Sequence, residues 1–336
     1  MSAGRKGDAG NAQDATVRAP FAHTPYDGSA RPFAVGLVPL DLAEWIEHDA
    51  RFADDLARKE ELLAGGGAPV LMSEDGTRAA QQEVLDLLAD HLPQRFPDIY
   101  AREGERITVR PTGTVVDRLA PGPVPFAAAA RLVQEDLVLM RKGGDGYRIA
   151  AAALCFPSSW SLAEKFGKAM PEIHEGVPGF NDTRMGAMVA RIFDNLPVDR
   201  PSWRLNWSLY PGPELHNPRP RIIDPDRLDS DRLASGRLAG EREAGTEASA
   251  LHVRVERQTL RRLPASGDIL FTIRVHHDPV AAFADHPRGR ELARGLREQL
   301  LALDEAQAAY KGLTTVRPHI ADLLQRLADT AGGDSP

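Results

Sequence analysis

The sequence predicts an α+β protein built around a largely antiparallel sheet. Three observations carry this: apolar residues recur at helical intervals in several stretches, short β-prone runs separate them, and successive runs are joined by turn-type connections too short for a parallel crossover.

Taken in order, residues 1–31 are rich in Gly, Ala, Asp and Ser without periodicity, which predicts a disordered tail. A single domain is expected over 32–328, followed by a short tail at 329–336. Beyond Pro39, the stretch LDLAEWIEHDARFADDLARKEELLA places Leu42, Trp45, Ile46, Phe52 and Leu56 at helix-like intervals, predicting one or two amphipathic helices. A second helical pattern runs from 79 to about 91, with Val84, Leu85, Leu87 and Leu88 apolar, and Pro93 and Pro97 are expected to close it. Pro111 and the turn-rich 121–125 mark loops.

Runs at 134–140 and 147–156 are β-prone and flank Lys142-Gly143-Gly144-Asp145-Gly146, a hairpin-type connection. After Pro157, SSWSLAEKFG begins with capping serines, carries Leu162 and Phe166 one turn apart and meets Gly167, so a short helix feeds the Ile173-His174 region. Residues 182–196 read as another helix, and 203–210 and 251–263 as strands. The turn Pro264-Ala265-Ser266-Gly267-Asp268 leads into a further strand through His276. Between them, 211–250 is rich in Pro, Asp, Arg and Gly and is expected to be an exposed insertion, dispensable for the core. Leu292, Leu296, Leu300, Leu301 and Leu303 mark a helix over 289–308, and 323–328 a last one.

At 336 residues the chain can bury a core and a cofactor. Its formal net charge of -7, with acids interspersed among the arginines, argues against a general nucleic-acid binder. One cysteine, Cys155, excludes an intrachain disulfide, a cysteine zinc site and an iron–sulfur cluster held by this chain. No apolar window approaches the roughly 18 residues of a membrane helix and the N-terminus lacks a signal-peptide core, so no membrane association and a cytoplasmic location are expected. Walker, GxGxxG, HExxH and GxSxG motifs are all missing, and Gly65 to Gly67 reads as a plain linker.

His174, in PEIHEGVPGF, follows a short helix and precedes a proline-glycine loop, where an imidazole can project into a cavity; a loop histidine bonded to backbone is the ordinary alternative. Cys155 lies in the apolar run AAALCF and reads as a small buried hydrophobe. In LHVRVERQTLRRL, alternation puts Val253 and Val255 on one face and His252, Arg254, Glu256 and Gln258 on the other. Arginines on this strand and the next, Arg254 and Arg274, could hold carboxylates, and Glu256 could bind an amine or accept a proton, where structural ion pairing is the bland reading. Trp203, Asn206 and Trp207 combine rings and an amide as a cofactor wall would, although core packing explains the tryptophans equally well. His276-His277 is set aside as a metal pair, because neighbouring strand residues point to opposite faces.

In order, CFPSSWSLAEKFGKAMPEIHEGVP, WRLNWSL and LHVRVERQTLRRLPASGDILFTIRVHHDP resemble the haem-dependent oxidative N-demethylase family, haem-binding alpha subunit-like, over about 32–327. The resemblance implies a PAS-like core, an antiparallel sheet flanked by helices, that binds haem b and oxidises a small methylated amine with dioxygen, releasing formaldehyde. It also implies reductase subunits as partners, carrying NADPH, FMN and an iron–sulfur centre. Carried over, it makes His174 the axial iron ligand and Lys165, Arg254 and Arg274 candidates for haem propionates or site electrostatics; with the residue readings above, the cofactor-binding candidates are His174, Lys165, Arg274, Trp207 and Asn206, and the catalytic candidates Glu256 and Arg254. A haem-binding PAS-like sensor or carrier without turnover is the alternative, and a haem-free interaction module a third. The region 211–250 and the tail depart from the family pattern and bear on partner docking.

Overall fold

The computed structural model describes residues 17–18, 20–29, 33–65, 67–224 and 251–331. Its elements are, in order, β1 (Val17–Arg18), β2 (Val38–Pro39), β3 (His48–Asp49), α1 (Phe52–Leu63), β4 (Leu71–Ser73), α2 (Arg78–Arg95), β5 (Tyr100–Glu103), β6 (Arg106–Val109) and β7 (Thr114–Asp117). There follow α3 (Pro125–Ala130), β8 (Asp136–Gly143), β9 (Gly146–Ala153), α4 (Leu162–Lys165), α5 (Met170–Ile173), α6 (Arg184–Asn195), β10 (Ser202–Pro211), β11 (Leu251–Arg262), β12 (Ile269–Pro279), α7 (Gly289–Leu301), α8 (Glu305–Tyr310) and α9 (Arg317–Thr330).

The centre is a seven-stranded sheet ordered β2-β10-β11-β12-β8-β9-β4, and each of its neighbouring pairs is antiparallel. The fold is α+β. The β8–β9 hairpin closes through Gly144-Asp145, with Gly146 at φ +102, a backbone setting that glycine adopts without steric cost. The small antiparallel sheet β5-β6-β7 lies where the sequence reading placed no strand and marked a loop at Pro111.

Pro93 sits inside α2 rather than closing it, and the helix ends two residues before Pro97. A proline removes the bond its amide would make to the carbonyl four residues back. Here that carbonyl, Ala89 O, receives Arg102 Nη1 at 3.5 Å. The predicted helix over 289–308 divides because Asp304 caps a new start, its carboxylate accepting from the Gln307 amide at 2.8 Å.

Strand alternation and register divide the buried side chains between two faces. One face carries Leu137, Leu139, Ala151 and Ala153 against α1–α3, and at its other end Trp207, Val253 and Val255 against α7–α9. Between these apolar clusters lies a charged layer around Arg257 and Arg274, which stand opposite each other in register. The second face holds Val138, Met140, Ile273 and Val275 against the chain from Leu154 to Phe193.

Two expectations about the periphery meet packed chain. Within the predicted tail, Phe21 and Tyr26 are buried against Phe283 and the α7–α9 cluster, so the described residues 20–29 belong to the core: two aromatics outweigh the polar composition around them. Residues 1–16 and 332–336 of the expected tails lie outside the described residues. In the predicted insertion, Leu215 and Ile223 are buried in the second-face and α7–α9 clusters, and 225–250 again lies outside the described residues.

Candidate functional site

The second face of the sheet brings together most of the residues singled out by the sequence. Asn206 of β10 pairs in register with Glu256 of β11, and Glu256 with Val275 of β12, so the three side chains share that face. Arg204, two residues before Asn206 on β10, joins them by the same alternation.

His174 approaches from the α4–α6 segment. Lys168 O accepts from the Ile149 amide at 3.4 Å and the Gly167 amide donates to Ile149 O at 3.0 Å, which ties the turn after α4 to β9. Gly167 makes the reversal at φ +75. The single turn α5 starts with the Glu172 carboxylate accepting from the Ala169 amide at 3.0 Å and ends at His174. His174 Nδ1 donates to Met170 O at 2.9 Å, and its ring stacks on Phe180 with centroids 4.2 Å apart. These contacts fix the tautomer and direction of the ring and leave Nε2 as the lone-pair nitrogen, without a hydrogen bond among the described residues. Burial holds the imidazole's pKa down at about 4, the bond to Met170 partly opposing this and the positive charges of Lys165 and Arg204 adding to it. The ring is therefore neutral near pH 7, the form that ligates a metal.

Lys165 donates to Ile173 O at 2.5 Å and lies over the Trp160 ring, 5.3 Å from its centroid, while burial lowers its pKa. It thus closes the same turn that carries His174.

Glu256 is held at one oxygen only: Oε2 accepts from Gln258 Nε2 at 2.8 Å and from Asn206 Nδ2 at 3.4 Å. Its Oε1 carries no hydrogen bond, and the carboxylate makes no ion pair within 4.0 Å, among the described residues. Arg204 reaches Val35 O at 3.3 Å, whereas its Nε is shut from solvent without a partner. Lys311 is buried, donates to Trp207 O at 2.5 Å and sits over the Trp207 and Phe33 rings at 4.7 and 5.1 Å. Burial, with Arg221 nearby, brings its pKa down to about 7, Glu256 acting in the opposite direction.

The remaining predicted residues are placed otherwise. Trp207 pairs with Val255, which puts it on the first face, where it is buried among α7–α9 side chains and donates through Nε1 to Gln299 Oε1 at 2.8 Å. Arg274 also projects from the first face: fully buried, it holds Asp49 Oδ2 at 2.5 Å and Val275 O at 2.6 Å. Neither shares the sheet face of Glu256, because each differs by one residue in strand parity. Arg254 does share the Glu256 face, but its donors are taken by Ser158 Oγ, Leu215 O, Phe156 O and Pro157 O at 2.7–3.2 Å, so it pins the chain after β9. Cys155 is buried, its thiol pushed up to about 12 by burial.

Arg204 and Lys311 are functional candidates that sequence reasoning passed over. The i, i+2 relation to Asn206 marks Arg204 in the sequence; Lys311, in a loop after α8, has no such local signal.

Family comparison adds one finding. The profile described as haem-dependent oxidative N-demethylase, alpha subunit-like, matches residues 36–321 of the 336, so the chain belongs to that family.

Proposed function

Because this is a member of the haem-dependent oxidative N-demethylase alpha subunit-like family, we propose that it binds haem b through His174 and serves as the oxidising subunit for a small methylated amine. The observation that carries the reading is a pair of unspent groups on one face: the lone pair of His174 Nε2 and the free Oε1 of Glu256.

The residues present fit a haem. His174 offers a neutral, directed imidazole, and the half-exposed side chains of Trp160, Phe166, Met170 and Ile173 give an apolar collar. The unpartnered Nε of Arg204, with Lys165, suits propionate carboxylates. Bound haem would supply the oxidation of an N-methyl group by dioxygen, in which the methylated amine, dioxygen, two protons and two electrons give the demethylated amine, formaldehyde and one water.

This chain's own residues bind and orient. Asn206 and Gln258 hold Glu256 Oε2, so Oε1 can accept an N–H of the ammonium form of the amine and take up its proton. The two electrons come, on this reading, from partner reductase subunits carrying NADPH, FMN and an iron–sulfur centre; the alpha subunit-like family name supports a multi-subunit assembly. The antiparallel sheet with helices packed on it supports reading 32–328 as one PAS-like unit.

The test is formaldehyde release from methylated amines by the haem-loaded chain with its reductase. Glu256→Gln should cut turnover strongly while the haem absorption is retained; unchanged turnover removes Glu256 from the reaction. Ligand binding at the haem with no formaldehyde from any amine would instead favour a sensor or carrier.

A further inference from the structure

The first face of the sheet holds a cluster that plays no part in the proposed oxidation. His23, from the packed segment before β2, Glu47, just before β3, and His276 of β12 converge there. Glu47 Oε2 lies 2.8 Å from His23 Nε2 and 3.2 Å from His276 Nε2. The two imidazoles stand edge to face, with centroids 5.0 Å apart.

We propose that His23, Glu47 and His276 form a binding site for one divalent transition-metal ion of the zinc type, which clamps the 20–29 segment to the sheet. Two imidazole nitrogens and one carboxylate oxygen are a donor set zinc takes readily, at about 2.0–2.2 Å from each atom. The three ligand atoms all lie within 4.8 Å of one another, a spread that modest side-chain rotation closes around one ion.

Two further observations favour an ion over a plain hydrogen-bonded cluster. His276 Nε2 is buried and makes no hydrogen bond despite its 3.2 Å approach to the carboxylate, as a nitrogen directed at a shared ion would. The outer partners are those of a metal site: Arg257 Nε sits 3.1 Å from the other oxygen of Glu47, and Asp49 Oδ2 lies 4.0 Å from His276 Nδ1.

The experiment measures zinc per chain in the full-length protein after chelator treatment, re-equilibration with Zn2+ and removal of excess, with affinity by titration calorimetry. Wild type and His174→Ala should each retain one zinc, which separates this site from the haem. His23→Ala, His276→Gln and Glu47→Gln should each weaken binding by more than the roughly 10–100-fold that losing an outer-shell partner costs. His23→Ala is the decisive variant, since Phe21 and Tyr26 still anchor its segment. Wild type without zinc, or zinc held equally by His23→Ala, overturns the site and leaves a hydrogen-bonded cluster.

Discussion

The two faces of the central sheet use charge in opposite ways. On the first, ions meet ions: Arg257 lies 3.1 Å from Glu47, and Arg274 lies 2.5 Å from Asp49 and 3.7 Å from Asp55. On the second, Arg204, Glu256 and Lys165 make no ion pair within 4.0 Å among the described residues, although each is at least half-buried. Burying a charge without its opposite is costly, so a fold tolerates it where something other than the fold sets the requirement. Neighbouring residues of one strand, Arg257 and Glu256, thus differ in kind: the first is engaged with a carboxylate and the second meets only amide donors.

The contrast breaks most sharply at Arg274. Arg274→Ala leaves Asp49 buried beside Asp55 without its cation and should cost about 3–5 kcal/mol in denaturant unfolding. Arg254→Ala, on the other face but engaged by the protein, should cost about 1.5–3 kcal/mol, since Phe156 O and Leu215 O lose their donor.

Acid reaches both faces through histidine. Burial depresses His276 and His174 to about 4 and His277 to about 2, against 6.5 for the free imidazole. Below 6.5 the unfolded chain binds protons that the folded chain refuses, so this stability is complete above pH 6.5 and is lost as pH falls toward 4 for His276 and His174 and toward 2 for His277. The melting temperature should decline across that window, and His277→Leu should flatten the slope. The smallest effect sharpens the comparison: Arg204→Met should change stability by less than about 1 kcal/mol while weakening haem retention. A loss like that of Arg274→Ala would erase the distinction between the faces.

Local features of this fold were legible in the sequence. Periodicity located α1, α2 and α6, the Gly-Asp connection located the β8–β9 hairpin, and alternation put Glu256 and Arg254 on one face and the valines on the other. Long-range pairing was not legible: nothing local announces that Val38–Pro39 adds to β10 or Leu71–Ser73 to β9. Parity was available but had to be applied throughout. Trp207 and Asn206 are adjacent on one strand and so cannot both line one cavity, and the same holds for Arg274 against Val275. The convergence of His23 and Glu47 on His276 depends wholly on tertiary structure, because the three are 24 and 229 residues apart in sequence.

The measurement that bears most directly on the central claim is the absorption spectrum of the protein expressed with haem precursor, ferric and ferrous, for wild type and His174→Ala. A wild-type Soret band that shifts or disappears in the variant, with folded secondary structure preserved, is the predicted result. No band in wild type, or an identical band in His174→Ala, would contradict it.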